Sequence, residues 1–146
     1  MEGIWFCIMK EHVIKLMPGD ELLRSIENYC YKHDIEAGYI GTCVGSLSQV
    51  CFRKGYTRTK LTLKGPFEIV SMEGTVSKGG HHIHASVSDD EFKVRGGHLV
   101  SNTLVQSTAE IVIIELENYE LSRSRDLGSQ YKSLKIIEIS DAKGEN

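Results

Sequence analysis

The chain has 146 residues, of which 40% are hydrophobic and 25% charged, and its formal net charge is −3 at pH 7. This length suits one domain with a sizeable core, so we expect a single domain over residues 1–146. The slightly acidic balance disfavours a general nucleic-acid binder, whose domain is usually basic. No apolar run approaches the ~20 residues of a membrane-spanning helix, which predicts no membrane segment.

The cysteine pattern and the N-terminus favour a reduced location, cytoplasmic or nuclear, and we predict a cytoplasmic one. Charged residues interrupt the first apolar run, and no small-residue cleavage site follows it, so no signal peptide is expected. None of the cysteines forms a Cys-x-x-Cys pair or stands beside a histidine. We interpret them mainly as core residues: Cys7, Cys30, Cys43 and Cys51.

The N-terminal part of the chain predicts a strand followed by a helix. Ile4–Leu16 is rich in β-branched and aromatic residues and reads as one long strand or two short ones. A turn then opens a helix, with Gly19 or Asp20 as its N-cap, because apolar residues recur after it at helical spacing. The helix should end near His33, which fits a capping or dipole role at a C-terminus.

The apolar, glycine-punctuated run Ala37–Leu47 admits two interpretations. One is a phosphate-binding loop, but no Lys-Ser/Thr pair and no helical pattern follow it. The favoured one is a bent strand whose glycines mark bulges or close backbone contacts. The next segment, Arg53–Lys64, is basic, contains Tyr56 and has no acidic residue. It is either a contact for phosphate or another acidic partner, or a solvated hairpin loop.

The remainder of the chain predicts consecutive strands. Thr108–Leu116 is nearly continuously apolar and is expected to be central and covered on both faces. The polar tail Ser140–Asn146 is expected to be disordered. The pattern predicts an α+β fold: a curved, mostly antiparallel sheet of about seven to eight strands with one flanking helix. The predicted later strands are Phe67–Ser77, His82–Ser88, Lys93–Leu99, Thr108–Leu116, Tyr119–Arg125 and Leu134–Ile139.

The segment His82-Ile83-His84 carries the chemistry of the sequence. Residues i and i+2 of a strand point to one face, roughly 6.5–7 Å apart, so His82 and His84 share a face. His98, on the next predicted strand, can complete a cluster of three imidazoles around one cation. Three histidines without a fourth protein ligand leave a position open for water or substrate, as in catalytic zinc sites.

Several segments, in the same order along nearly the whole chain, make the sequence resemble the plants-and-prokaryotes conserved domain (PPC or PCC). The strongest matches are residues 65–75, 82–89, 96–99 and 108–113, and weaker ones are residues 18–22, 41–47 and 123–126. The resemblance implies an antiparallel sheet with a flanking helix, assembled as a trimer. It also implies that His82, His84 and His98 form the family's metal site, with zinc as the expected ion.

The sequence departs from the family in three places. It has no Arg-Gly-Arg-Pro hook, the element by which plant members of the family grip the DNA minor groove. The turn Asp89–Phe92 lacks the glycine often found there. His81 adds a histidine beside the usual pair, but as a strand neighbour of His82 it should point to the opposite face.

Other site residues are predicted only weakly. A zinc site needs acceptors for the second ring nitrogens of its histidines, and Glu68 and Glu110 are the candidates. For catalysis, Glu68 is the candidate base and Arg53 a candidate anion clamp.

Three functions remain open. The favoured one is a non-catalytic trimeric domain with a metal site that binds a small anionic ligand, a protein or DNA. The second is a zinc-dependent hydrolase or decarboxylase, to which wider relatives of the fold are similar. The third is direct DNA binding through Arg53–Lys64.

Overall fold

The computed structural model describes residues 9–139, which form eight strands and one helix. The part of the first predicted strand that precedes residue 9, Cys7 and the tail Ser140–Asn146 lie outside this range. In chain order the elements are β1 (Lys10–Leu16), α1 (Leu22–Lys32), β2 (Gly38–Arg53), β3 (Lys60–Ser77), β4 (Gly80–Ser88), β5 (Val94–Leu99), β6 (Leu104–Glu115), β7 (Tyr119–Arg125) and β8 (Lys132–Glu138).

Six strands form one antiparallel sheet in the order β1-β6-β2-β3-β4-β5. The end of β2 also pairs with β5, so that β2, β3, β4 and β5 curl around and meet. Register shifts in β2 produce the bends that this curvature needs. β7 and β8 pair with each other in a second, two-stranded sheet. The prediction of an α+β fold with a curved antiparallel sheet and one helix is confirmed, and the run Ala37–Leu47 lies in the bent strand β2 from Gly38 onward.

Helix α1 packs on one face of the six-stranded sheet. Its buried residues recur at helical spacing and join the hydrophobic core: Leu22, Leu23, Ile26 and Cys30. The N-cap is Glu21, and the prediction of Gly19 or Asp20 is wrong. A Glu21 carboxylate oxygen accepts a hydrogen bond from the backbone N–H of Arg24 at 2.7 Å, and its other oxygen accepts from the loop before β6. His33 is the C-cap, as predicted.

Strand β6 lies between β1 and β2 but is covered on only one face. Ala109, Ile111 and Ile113 are buried against the core, whereas the alternate residues Val112 and Ile114 are partly exposed. The expectation of a strand covered on both faces is therefore wrong for the single chain. The reason is that α1 and the core lie on one side of the sheet, and nothing in residues 9–139 covers the other.

The cysteines within the described range are buried and free: Cys30, Cys43 and Cys51. Burial raises the pKa of the Cys30 thiol to about 11 and that of Cys43 to about 12. These two thiols therefore stay protonated and act as small apolar side chains. Their core role is confirmed, and the cytoplasmic location stays a prediction. Between residues 9 and 139, no helix has the length and apolar character required to cross a membrane.

Candidate metal centre

The alternation of β4 places two histidines on one face of the sheet. Ile83 and Val87 are completely buried on the core side, which fixes the orientation of the strand. His82 and His84 consequently share the other face. His98 on β5 is the direct cross-strand partner of His84, so its imidazole rises from the same face.

The three imidazoles converge. One nitrogen from each of His82, His84 and His98 lies within 4.8 Å of the other two. The Nε2 atoms of His82 and His84 are 3.1 Å apart, and the ring centroids are separated by 4.9, 4.9 and 5.4 Å. Two ligands of a tetrahedral zinc ion, at about 2.0–2.1 Å from it, lie about 3.3 Å apart. The His82–His84 separation is thus close to that of two ligands of one ion.

The donor set also fits zinc. Three neutral imidazole nitrogens suit this borderline-soft cation, and a three-histidine set leaves a fourth coordination position free. Nδ1 of His98 is buried and has no hydrogen-bond partner within residues 9–139. When bound, zinc would polarise a carbonyl group or activate water at the open position.

Two glycines let the backbone of the neighbouring strands pass close to the histidine strand. A Cβ atom on Gly74 of β3 would lie 2.1 Å from the carbonyl oxygen of His82, and one on Gly96 of β5 would lie 2.6 Å from that of Ala85. Both distances are far below a van der Waals contact. Any side chain at these positions would push β4 away and displace the histidines.

Two arginines contribute positive charge to the surroundings of the cluster. Burial lowers the pKa of His98 to about 4, and the positive charge of Arg53 contributes. Burial also lowers the pKa of His82, with a contribution from Arg123. Both histidines are therefore neutral at pH 7, which is the form that binds metal.

The structure does not bring every predicted site residue to the cluster. Glu68 is exposed on β3 between Ser46 and Ser88, and it lies about 16 Å along the strand from the position that faces His84. Glu110 is exposed on β6, a strand that pairs with neither β4 nor β5. Their proposed roles stay predictions without support from the geometry. His81 lies on the opposite face, where its Nδ1 is 2.8 Å from Oε1 of Glu27 on α1.

The carboxylate nearest to the cluster in the sheet is Glu73, which the sequence analysis missed. Glu73 on β3 is the direct cross-strand partner of His84, and it lines two open cavities beside that histidine, of about 330 and 410 Å³. The pairing of Glu73 with His84 follows from the register of the β3–β4 hairpin. Ser77 and Gly80 form the first pair at the turn, and counting four residues away from the turn on each strand leads to Glu73 and His84.

Arg53 is close to the cluster, as a clamp would need to be. It ends β2 opposite His98, so four strands contribute one continuous row of cross-strand neighbours: Glu73, His84, His98 and Arg53. Its guanidinium lies 4.7 Å from the ring centroid of Tyr131. The Nη2 group of Arg123 donates a hydrogen bond at 2.7 Å to Oγ1 of Thr75, the cross-strand partner of His82. The β7–β8 region thus borders the histidines, which the sequence analysis did not foresee.

A curled antiparallel sheet that carries three converging histidines defines a small β-rich domain with a candidate metal centre. The chain belongs to the Plants and Prokaryotes Conserved (PCC) domain family, whose sequence model matches residues 7–117. This confirms the resemblance noted above. The expectation that residues 1–146 are one domain stays a prediction.

Curated relatives include the bifunctional protein GlmU of two Synechococcus strains. The chain is 31% identical to one over 134 residues and 32% identical to the other over 128 residues. These alignments cover 92% and 88% of the chain. The chain spans only 22% and 20% of the length of these relatives, so it resembles a part of each.

Solved structures share the fold over most of the chain. A hypothetical protein from Salmonella enterica has a TM-score of 0.84 at 31% identity, over 90% of this chain and 95% of that one. A PPC protein from Pyrococcus horikoshii has a TM-score of 0.69 at 30% identity, over 84% and 92%. A protein from Archaeoglobus fulgidus described as metal-containing has a TM-score of 0.72 at 27% identity, over 91% and 98%.

Proposed function

We propose that this chain is a metal-binding PCC module that acts by binding rather than by catalysis. The observation that carries the proposal is the convergence of one nitrogen from each of His82, His84 and His98 within 4.8 Å. Zinc is the proposed ion because neutral imidazoles without carboxylate ligands suit it best. The Archaeoglobus relative, described as metal-containing, supports a metal in this family.

Elemental analysis of the natively purified protein tests this proposal. We expect about one zinc per chain in the wild type and close to none in His98→Ala, since two imidazoles bind the ion far more weakly than three. His81→Ala is the matched control, because it removes the neighbouring histidine that points away, and it should retain the metal. Equal metal content in the two variants, or a metal-free wild type after gentle purification, would overturn the proposal.

The module is further proposed to be a homotrimer. Support comes from the open face of the β1-β6-β2 part of the sheet, where Val13 is 75% and Val44 56% exposed. Exposed apolar side chains on neighbouring strands favour burial against another chain. Light scattering of the purified protein should give three times the chain mass. Val44→Lys should reduce it toward one chain mass, whereas an unchanged mass would argue against this face as the interface.

DNA is a second proposed partner. The loop between β2 and β3 is exposed, Tyr56 at its tip is 92% exposed, and Lys54, Arg58 and Lys60 are exposed around it. Binding carried by these groups should weaken steeply with salt, because phosphate contacts release counterions. A gel-shift or anisotropy titration at low salt tests the idea. An absence of binding there, or an affinity that the double variant Lys54→Ala/Arg58→Ala leaves unchanged, would contradict it.

A zinc-dependent hydrolase or decarboxylase is the competing function, and Glu73 favours it. A carboxylate beside His84 is in a suitable position to exchange a proton with a ligand at the open coordination position. Ester and decarboxylation screens of the zinc-loaded protein separate the two functions. Turnover that falls at least about 100-fold in Glu73→Gln, with zinc content unchanged, would favour the enzyme, whereas no turnover in these screens favours the binding module.

A further inference from the structure

A cavity of about 220 Å³ adjoins the histidine cluster on the side away from Glu73. His82 and His98 form one wall of it. The remaining walls come from separate parts of the fold: Arg53 at the end of β2, Arg123 on β7, and the start of β8. A volume of this size equals that of about seven water molecules, so it suits a small ligand.

The charges around this cavity are of one sign. Arg53, Arg123 and Lys132 line it, and no acidic residue of the described chain is among its lining. Some cations elsewhere in the fold are paired with carboxylates, as Lys78 is with Asp34 and Lys10 with Glu115. What distinguishes this cavity is that three cations line it together with no carboxylate from residues 9–139, and cations brought together without an anion repel each other.

The two arginines are held in place rather than freely solvated. The guanidinium of Arg53 stacks on Tyr131 at 4.7 Å, and its Nε atom is buried without a hydrogen-bond acceptor in residues 9–139. Arg123 is anchored by its hydrogen bond to Thr75, and burial lowers its pKa. A buried N–H group of a charged side chain needs an acceptor, and an oxyanion supplies one.

We propose that this cavity binds a small oxyanion, a carboxylate or a phosphate group, through Arg53, Arg123 and Lys132. The planar forks of the two arginines match the paired oxygen atoms of either group. This proposal extends the proposed function and rests on it in one respect, the presence of a metal ion. A dication held by the neutral histidines would add positive charge beside the cavity and would make anion binding more favourable.

Isothermal titration calorimetry of the full chain, in chloride buffer, tests the proposal with two probes, inorganic phosphate and sodium acetate. We expect saturable binding of at least one probe at about one per chain, and the preferred probe identifies the source of the oxyanion. Arg53→Met should weaken this binding at least about tenfold, the loss expected for a charge-assisted hydrogen bond. The matched control Arg24→Met, at an exposed position of helix α1, should leave it within about twofold.

Arg53→Lys is a conservative variant that controls for unfolding, since it keeps the positive charge and loses only the planar guanidinium group. We expect an intermediate loss with an unchanged circular dichroism spectrum. Equal affinity in Arg53→Met and Arg24→Met would overturn the proposal, as would no saturation with either probe up to about 10 mM in the wild type.

Zinc analysis of the same samples separates this test from that of the metal site. Anion binding by a metal-free sample supports the oxyanion cavity and counts only against the metal. A zinc-containing sample without anion binding counts only against the cavity.

Discussion

Two regions of the molecule contain histidines with opposite surroundings. At the β1 edge, both ring nitrogens of His12 have partners: Nε2 lies 2.9 Å from Oε2 of Glu115, and Nδ1 lies 3.2 Å from the hydroxyl of Tyr29. Lys10 pairs with the same carboxylate, and His33 stacks on Tyr29 with a centroid separation of 4.1 Å. This histidine has its hydrogen bonds satisfied within the fold.

The histidines of β4 and β5 have no such arrangement. His82 and His84 direct nitrogens toward each other at 3.1 Å, and the nearby charges that lower the pKa of His98 belong to Arg53 and to the other histidines. A fold does not gain stability by gathering unpaired imidazoles beside cations. The contrast indicates that the first region is built for stability and the second for a ligand.

The largest expected effect of this difference is the response to zinc. Zinc at about 100 times its dissociation constant should stabilise the wild type by about 2.7 kcal/mol, which raises Tm by roughly 5–10 °C. His84→Ala should lose this rise. His12→Ala should keep it while starting from a lower Tm. Differential scanning calorimetry with and without zinc measures both, and a comparable rise in His84→Ala would remove the distinction between the regions.

The close packing of β3 on β4 gives the next effect. In Gly74→Ala, the added Cβ would meet the carbonyl oxygen of His82 at 2.1 Å, so the strands must separate. We expect a loss of about 2 kcal/mol in the free energy of unfolding, together with weaker zinc binding. Val70→Ala, at an exposed position of the same strand, should change stability by less than about 0.5 kcal/mol. Urea unfolding measures the stability of both variants. Similar free energies of unfolding would show that the close approach of β3 and β4 at Gly74 does not need a glycine.

Glu115→Gln tests the β1 region with a smaller change. Burial by itself would raise the pKa of Glu115, but the hydrogen bonds from Lys10 and His12 lower it overall. The folded pKa is below the unfolded one, so the carboxylate stabilises the fold above pH 4.5 and this contribution disappears as pH falls through the folded pKa. Glu115→Gln should lose about 1 kcal/mol at pH 7.

Between pH 5 and pH 3, the free energy of unfolding of Glu115→Gln should change less than that of the wild type. Urea unfolding at each pH measures both. The zinc content of Glu115→Gln should not change. If the free energies of unfolding of the two proteins change with pH in parallel, the interactions of Glu115 with Lys10 and His12 contribute little to stability.

Sequence reasoning predicted the features that depend on near neighbours along the chain. The shared face of His82 and His84 follows from strand alternation, the buried face of α1 from helical spacing, and the C-cap from the position of His33. The order of the predicted strands added His98, and the family resemblance made the three histidines the expected ligands. All of these need only local periodicity or a known motif.

What sequence reasoning missed depends on contacts between distant segments. Arg53 meets His98 because the end of β2 pairs with β5, and no local pattern encodes that closure. Glu21 caps α1 because its second carboxylate oxygen accepts from the backbone of Asn102 and Thr103, far along the chain. The role of Glu68 stays a prediction, but the strand register places Glu73, and not Glu68, opposite His84.

The smallest expected effect lies in the turn between β4 and β5, which holds His84 and His98 in register. Asp89 Oδ1 accepts hydrogen bonds from the backbone N–H groups of Glu91 and Lys93, at 3.0 and 2.9 Å. Phe92 then adopts a φ of +63° and is 89% exposed. A left-handed conformation costs a side chain roughly 1–2 kcal/mol, so the phenylalanine occupies the position at which glycine relieves strain.

Phe92→Gly should therefore stabilise the protein, although only slightly. Relief of the positive φ is offset in part by the greater freedom of glycine in the unfolded chain, which leaves a gain of about 0.5 kcal/mol. Little burial is lost, because the ring is exposed. Phe92→Ala keeps the unfavourable φ and should be no more stable than the wild type. Zinc binding should be the same in both variants, because neither change moves the histidines. Urea unfolding measures the stability of the two variants. If Phe92→Gly is no more stable than Phe92→Ala, the turn is unstrained.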